Sequence, residues 1–203
     1  MLIQHIFTTP ISINKWEQDT AVLEQFKQHV LSTRSIYLDL FTQAIPGTEQ
    51  IVSWTLDLSA EYASHAGLKG YYVVLQDMWV AVMKGLNTYK PLHHHNGTWG
   101  VGTMYFIDGM GDIMLVDPRG AHPFENKSRL DINGSPHTSC LDYYYTPQKY
   151  HAILFPAYLK HMVLPDSCSD RERVAISWNI TVTNDVRRIE AFKIPKFRYK
   201  LVG

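Results

Sequence analysis

The sequence predicts a mainly β domain, a sandwich or open barrel of short strands, supported by a helical N-terminal segment. Three observations carry that expectation. Apolar residues near the start recur at helical spacing. From about residue 70 onward the texture changes to aromatic and β-branched runs broken by turn residues. No repeat, low-complexity tract or linker interrupts the 203 residues, a length that suits one domain.

The elements follow in order. Asn14, with Glu17 three residues later, suits a capping box. Leu23, Phe26 and Val30 then mark one face of an amphipathic helix over about 15–32. A second helical stretch, SIYLDLFTQAI, is expected to stop before Pro46-Gly47. GYYVVLQDMWVAVMKG reads as a strand closed by Lys84-Gly85. GVGTMYFIDGMGDIMLVDP reads as a hairpin around Asp108–Asp112, with Pro118 as its stop; the acidic residues there lack the spacing and final Glu of a calcium loop. Residues 119–150 are the least regular part and include Tyr143-Tyr144-Tyr145, an aromatic wall or simple packing. YHAILFPAYLKHMVLP and RVAISWNITVT supply two closing strands. The division expected is a helical support over 1–69, a β core over 70–183 and a solvated basic tail over 184–203.

Composition narrows the function. Lys plus Arg and Asp plus Glu balance at 19 each, so the basic excess of a nucleic-acid or membrane-surface protein is missing. No apolar run approaches the roughly 20 residues that span a bilayer. The N-terminus has no charged leader or small-residue cleavage site, and Cys140 and Cys168 form neither a CxxC pair nor a disulfide framework. A reducing cytoplasmic setting is expected.

Histidine is the outlier, with ten in the chain and three adjacent in KPLHHHNGTW. On a strand, residues i and i+2 share a face, so His93 and His95 can chelate one ion while His94 points away. The third donor expected is His161 in FPAYLKHMVLP. An HxH pair alone also suits a polar loop, and a lone His161 suits an ordinary surface histidine. RERVAISWN changes the balance, because alternation aligns Arg173, Ala175, Ser177 and Asn179, and a buried Arg173 would bind a carboxylate in bidentate fashion. His122, His137 and His151 are read as structural or exposed.

Several stretches together resemble the 2-oxoglutarate/Fe(II) oxygenases of marine phages and bacteria. These are IFTTPISI, HHHNGTWGVGTMYF, LVDPRG, ILFPAYLKHMVLP and RVAISWNI; the likeness is good over about 70–183 and looser before. The resemblance implies a double-stranded β-helix, a jelly-roll or cupin-like barrel with the N-terminal helices packed outside. It implies that His93, His95 and His161 hold Fe(II) and that Arg173 pairs with the distal carboxylate of the co-substrate 2-oxoglutarate. By alternation, Ser177 would assist at that carboxylate and Tyr105 would line the pocket. Asp117-Pro118-Arg119 reads most simply as a strand-to-loop exit, with Arg119 facing the site as the lesser alternative. The expected reaction is an oxygenation by molecular oxygen, a hydroxylation of an unidentified substrate with release of succinate and carbon dioxide. A homodimer is admitted; nucleic acid and membrane are not expected partners.

Two positions depart from the pattern. A carboxylate is usual where His95 stands, so the donors here are all neutral, and ligand type alone would also admit zinc or nickel. Tyr150-His151 occupies the place of a Gly-acid pair. The rival reading is a non-catalytic β-barrel that binds a metal or a small acid through the same residues.

Overall fold

The structure, a computed structural model, describes residues 8–84, 89–118, 142–165 and 172–203. Among the described residues no helix is long and apolar enough to cross a membrane. Among the described residues eleven strands form two antiparallel sheets. The larger sheet has the order β1 (Ser12–Lys15), β8 (His151–Pro156), β5 (Gly100–Tyr105), β10 (Glu172–Thr183), β3 (Tyr72–Lys84) and β11 (Tyr199–Leu201), with β2 (Tyr37–Asp39) also on β3. The smaller sheet runs β4 (Lys90–His93), β9 (His161–Val163), β6 (Ile113–Val116) and β7 (Asp142–Tyr145). From β3 to β6 the chain alternates between the sheets; it turns back at the β6–β7 pair and alternates again to β10. This is the plan of a double-stranded β-helix, as the resemblance implied.

The strands at the centre of the larger sheet are buried on both faces, so their two residue sets feed two cores. Val174, Ile176, Trp178 and Ile180 of β10 pack with Met104 of β5 against the helices. Ala175, Val101 and Tyr105 face the other way, into a core shared with Ile113, Leu115 and Val163 of the smaller sheet. Each fully buried large apolar side chain of this kind contributes roughly 1.5–3 kcal/mol. Gly102 has a packing reason: a Cβ there would lie 2.1 Å from the Trp178 indole.

The helices lie against the outer face, as expected, but with different boundaries. Helix α1 spans Thr20–Ser32 and buries Leu23, Phe26 and Val30, the predicted face. Its cap is Asp19, whose Oδ1 accepts from Ala21 N at 2.9 Å, and not Asn14. Asn14 is drawn into edge strand β1 and donates to Ser12 Oγ at 2.7 Å. The expected helix over 35–45 is instead strand β2, paired with β3. The real second helix, α2 (Thr48–His65), begins where that one was expected to stop, at Gly47 in the left-handed region (φ 85°).

Three further expectations are corrected. The hairpin over 100–117 is not one: β5 and β6 belong to different sheets, and 106–112 carry the chain across. That crossing is pinned by Gly109 N donating to Pro147 O (2.8 Å) and Lys149 N donating to Asp108 Oδ1 (2.6 Å). YHAILFPAYLKHMVLP is likewise two strands, β8 and β9, in opposite sheets. The C-terminal segment is not merely solvated: after the short helix α3 (Val186–Ala191), β11 extends the larger sheet and Arg198 donates to Leu75 O across Phe41.

Candidate metal centre and acid-binding pocket

Strand pairing builds the histidine cluster. β4 and β9 run antiparallel with His93 directly opposite His161, so both side chains leave the same face. β4 ends at His93, but the chain stays extended enough for His95 N to donate to Ala157 O at 3.0 Å. His94, between them, is exposed. The ring centroids are 4.3 Å apart for His93–His161, 5.3 Å for His93–His95 and 5.2 Å for His95–His161. One donor nitrogen from each lies within 4.8 Å of the others.

Hydrogen bonds decide which nitrogen that is. Nδ1 of His93 lies 2.7 Å from Pro91 O, Nδ1 of His161 lies 2.9 Å from Leu159 O, and Nδ1 of His95 lies 2.7 Å from Asn179 Oδ1. A carbonyl oxygen only accepts, so each Nδ1 carries the proton and each Nε2 keeps its lone pair. Carbonyl-anchored imidazoles of this kind are how metal-binding histidines are oriented. Burial pushes the His161 pKa down to about 4, against the opposing bond to Leu159, and burial lowers that of His95 as well. His95 and His161 are therefore neutral near pH 7, the form a metal requires.

The second feature lies at the other end of β10. Arg173 is 2% exposed, and no carboxylate among the described residues pairs with it. Its Nη1 touches Met83 Sδ at 3.4 Å, its Cζ lies 5.3 Å from the Tyr105 ring centre, and its Nε has no partner. The Tyr105 hydroxyl is also buried and unpartnered. Its pKa is pushed up to about 12 by burial, against the charge and the polar contact of the nearby Arg173, which work the other way. A buried guanidinium with open donor capacity is costly unless an anion completes it.

Ser177 and Asn179 share the Arg173 face of β10, as alternation predicted. Ser177 Oγ is 3.2 Å from Thr103 Oγ1 and sits four residues, roughly 13 Å, along the strand from Arg173. Asn179, read only as a member of that face, is the partner of His95; strand alternation was the signal that could have singled it out. Tyr145, 6% exposed, packs beside Tyr105 with centroids 6.0 Å apart, whereas Tyr144 is half exposed. His151 stays apart from the cluster, its Nδ1 3.0 Å from Lys149 O. Arg119, His122, His137, Cys140 and Cys168 lie outside the described residues.

Two clefts, about 550 and 510 Å³, flank the Tyr37–Trp79 pair, whose rings stack at 6.4 Å. Trp79 stands opposite Ser177 and shares the site's face of the sheet. Met83, against Arg173, lines one cleft, and Asn179 lines the other. In chemical terms the arrangement links three imidazole donors, through the His95–Asn179 contact, to the face of β10 that also carries the buried Arg173 cation. It can take a divalent metal together with an acid whose far end is anionic.

Comparison with known proteins gives a family and a fold. The sequence matches a family described as "Putative 2OG-Fe(II) oxygenase" over residues 77–179, a span that contains every residue of the cluster and the pocket. Similar solved structures include a prolyl-4-hydroxylase from Pseudomonas putida (TM-score 0.57, 12% identity, 86% of this chain and 94% of that one). The non-heme alpha-ketoglutarate-dependent epimerase SnoN from nogalamycin biosynthesis is another (0.60, 12%, 84% and 78%), as is AviO1 from Streptomyces viridochromogenes (0.60, 12%, 85% and 90%). At such identities they show the fold. The chain spans 57% of a further oxygenase from Burkholderia pseudomallei, at a TM-score of 0.46. A search of curated proteins finds no match.

Proposed function

The chain belongs to the 2OG-Fe(II) oxygenase family, and from that premise we infer that His93, His95 and His161 hold the iron and that Arg173 binds the distal carboxylate of 2-oxoglutarate. One observation carries the assignment. Three imidazoles with their Nδ1 protons already committed turn Nε2 toward one another, and one of them is held by the β10 face that also carries buried Arg173, with which no carboxylate among the described residues pairs.

When bound, Fe(II), 2-oxoglutarate and oxygen supply the oxidation, in which the acid leaves as succinate and carbon dioxide and one oxygen atom goes to the substrate. The protein's residues do the rest. The Pro91, Leu159 and Asn179 carbonyl groups hold the three rings in orientation. Arg173 offers its guanidinium fork to the acid, with the Tyr105 hydroxyl free to add a donor. Tyr145 and the inter-sheet core exclude water from that end, which strengthens the ion pair. The substrate approaches over Tyr37 and Trp79, where the clefts open.

With three neutral ligands, the Arg173-bound acid becomes the main negative charge beside the metal. This supports an obligatory partnership between metal and 2-oxoglutarate. The test is succinate formation from 2-oxoglutarate in air with Fe(II) added, slow without substrate and lost in His161→Ala. Tight 2-oxoglutarate binding with no succinate under any condition would favour a binding protein over an enzyme.

A further inference from the structure

Asn179 lies between His95 and Asp77. Its Oδ1 is 2.7 Å from His95 Nδ1, and its Nδ2 donates to Asp77 Oδ2 at 3.2 Å. Asp77 and Asn179 are direct cross-strand partners on β3 and β10, at the last pair before the register shifts. A side-chain amide can be turned end for end with almost no change of shape, so Asn179 does not by itself fix which end meets the histidine. Asp77 does. An ionised carboxylate only accepts, so it takes the NH₂ end and leaves the carbonyl end to His95. The carbonyl in turn requires the His95 proton on Nδ1. Nε2 is then free to face His93 and His161.

The other two rings need no such device. His93 and His161 bond to the backbone carbonyls of Pro91 and Leu159, which cannot turn over. Among the three histidines, His95 alone depends on a reversible acceptor. With Asn179 reversed, an N–H would point at Nδ1, the proton would favour Nε2, and the donor turned toward the cluster would be blocked.

We propose that Asp77 is a positioning residue for the metal centre: acting through Asn179, it sets the tautomer of His95. The inference rests on His95 being a ligand. It separates from a plain charge effect, in which exposed Asp77 would attract the cation through solvent. Such attraction is screened at 0.5 M salt, where the Debye length is about 4 Å, whereas a tautomer preference is not.

The experiment compares the wild type with Asp77→Ala, a change at an exposed residue, with circular dichroism as the check of folding. Ring ¹⁵N NMR of the metal-free proteins reads the His95 tautomer, and Co(II) titration at 0.05 and 0.5 M KCl reads affinity. Wild type should show His95 protonated at Nδ1, and Asp77→Ala should gain the Nε2–H form. Co(II) affinity should fall about tenfold, the low end for lost outer partners of a ligand, at both salt concentrations. An unchanged tautomer in Asp77→Ala, or a loss of affinity that disappears at 0.5 M KCl, would overturn the proposal. A wild type that takes up no Co(II) at all would instead overturn the metal reading, and the two failures are distinct because the tautomer is measured without metal.

Discussion

The Arg173 guanidinium sits 5.3 Å from the centre of the Tyr105 ring, and each residue buries a polar atom, Nε and the hydroxyl, that has no partner. Two orphaned donors side by side in a dry core describe a place for an anion. Arg173→Gln should therefore weaken 2-oxoglutarate roughly 30-fold or more, the effect of truncating one half of a buried charge pair. Co(II) affinity should stay within about twofold of wild type, since Arg173 is not among the donors; calorimetry of both ligands checks the split.

His161 is the most buried of the three histidines, whereas His94, between His93 and His95 in the sequence, is exposed. His161→Ala is expected to lower metal affinity by more than about 100-fold, beyond the effect of losing an outer partner alone. His94→Ala should leave affinity unchanged. Parallel Co(II) titrations of the two variants decide it, and equal losses would break the alternation on which the ligand set rests.

Gly102 lies under the Trp178 indole, with no room for even one carbon. Trp178 is fully buried and donates to Ser59 Oγ at 3.2 Å, so it has little freedom to yield. Gly102→Ala should destabilise the fold by about 1–3 kcal/mol, the usual cost of overpacking, in urea unfolding.

Glu24 of α1 accepts from Lys149 Nζ at 2.7 Å and from the Tyr150 hydroxyl, tying the helix to the turn before β8. The Lys149 bond first and the Tyr150 bond second hold its pKa below the ordinary glutamate value. A depressed folded pKa gives stability that is present above the unfolded value and lost as pH falls through the folded one. Because the pair is half exposed, Glu24→Gln should cost no more than about 1 kcal/mol at pH 7. The difference from wild type should shrink as pH falls below the ordinary glutamate range, as measured by unfolding at pH 7 and in acid.

How far the sequence could be read depended on whether the determining contact was local. The α1 face, the β3 run and the Arg173–Asn179 alternation follow from spacing of a few residues, and all appear in the structure. Pairing did not follow. Nothing local in GVGTMYFIDGMGDIMLVDP says that its halves join different sheets, because that is set by β8, β9 and β10 far down the chain. Helix α2 escaped notice for another reason: its buried face, from Ile51 to Ala63, is broad and includes Thr55 and Ser59, which satisfy their hydroxyls on Val52 O and Thr55 O. Asn179 was visible as a face residue, but its use as a histidine anchor rests on a contact with His95, 84 residues away in the sequence.

The central claim is that one site joins the three histidines, Arg173 and 2-oxoglutarate around Fe(II). Anaerobic titration with Fe(II) and then 2-oxoglutarate tests it most directly. A visible metal-to-ligand charge-transfer band should appear only with both, saturate at one equivalent of each, be lost in His161→Ala and shift to higher 2-oxoglutarate concentration in Arg173→Gln. Admission of air should then bleach it as succinate forms. Fe(II) uptake with no such band at saturating 2-oxoglutarate would contradict the claim.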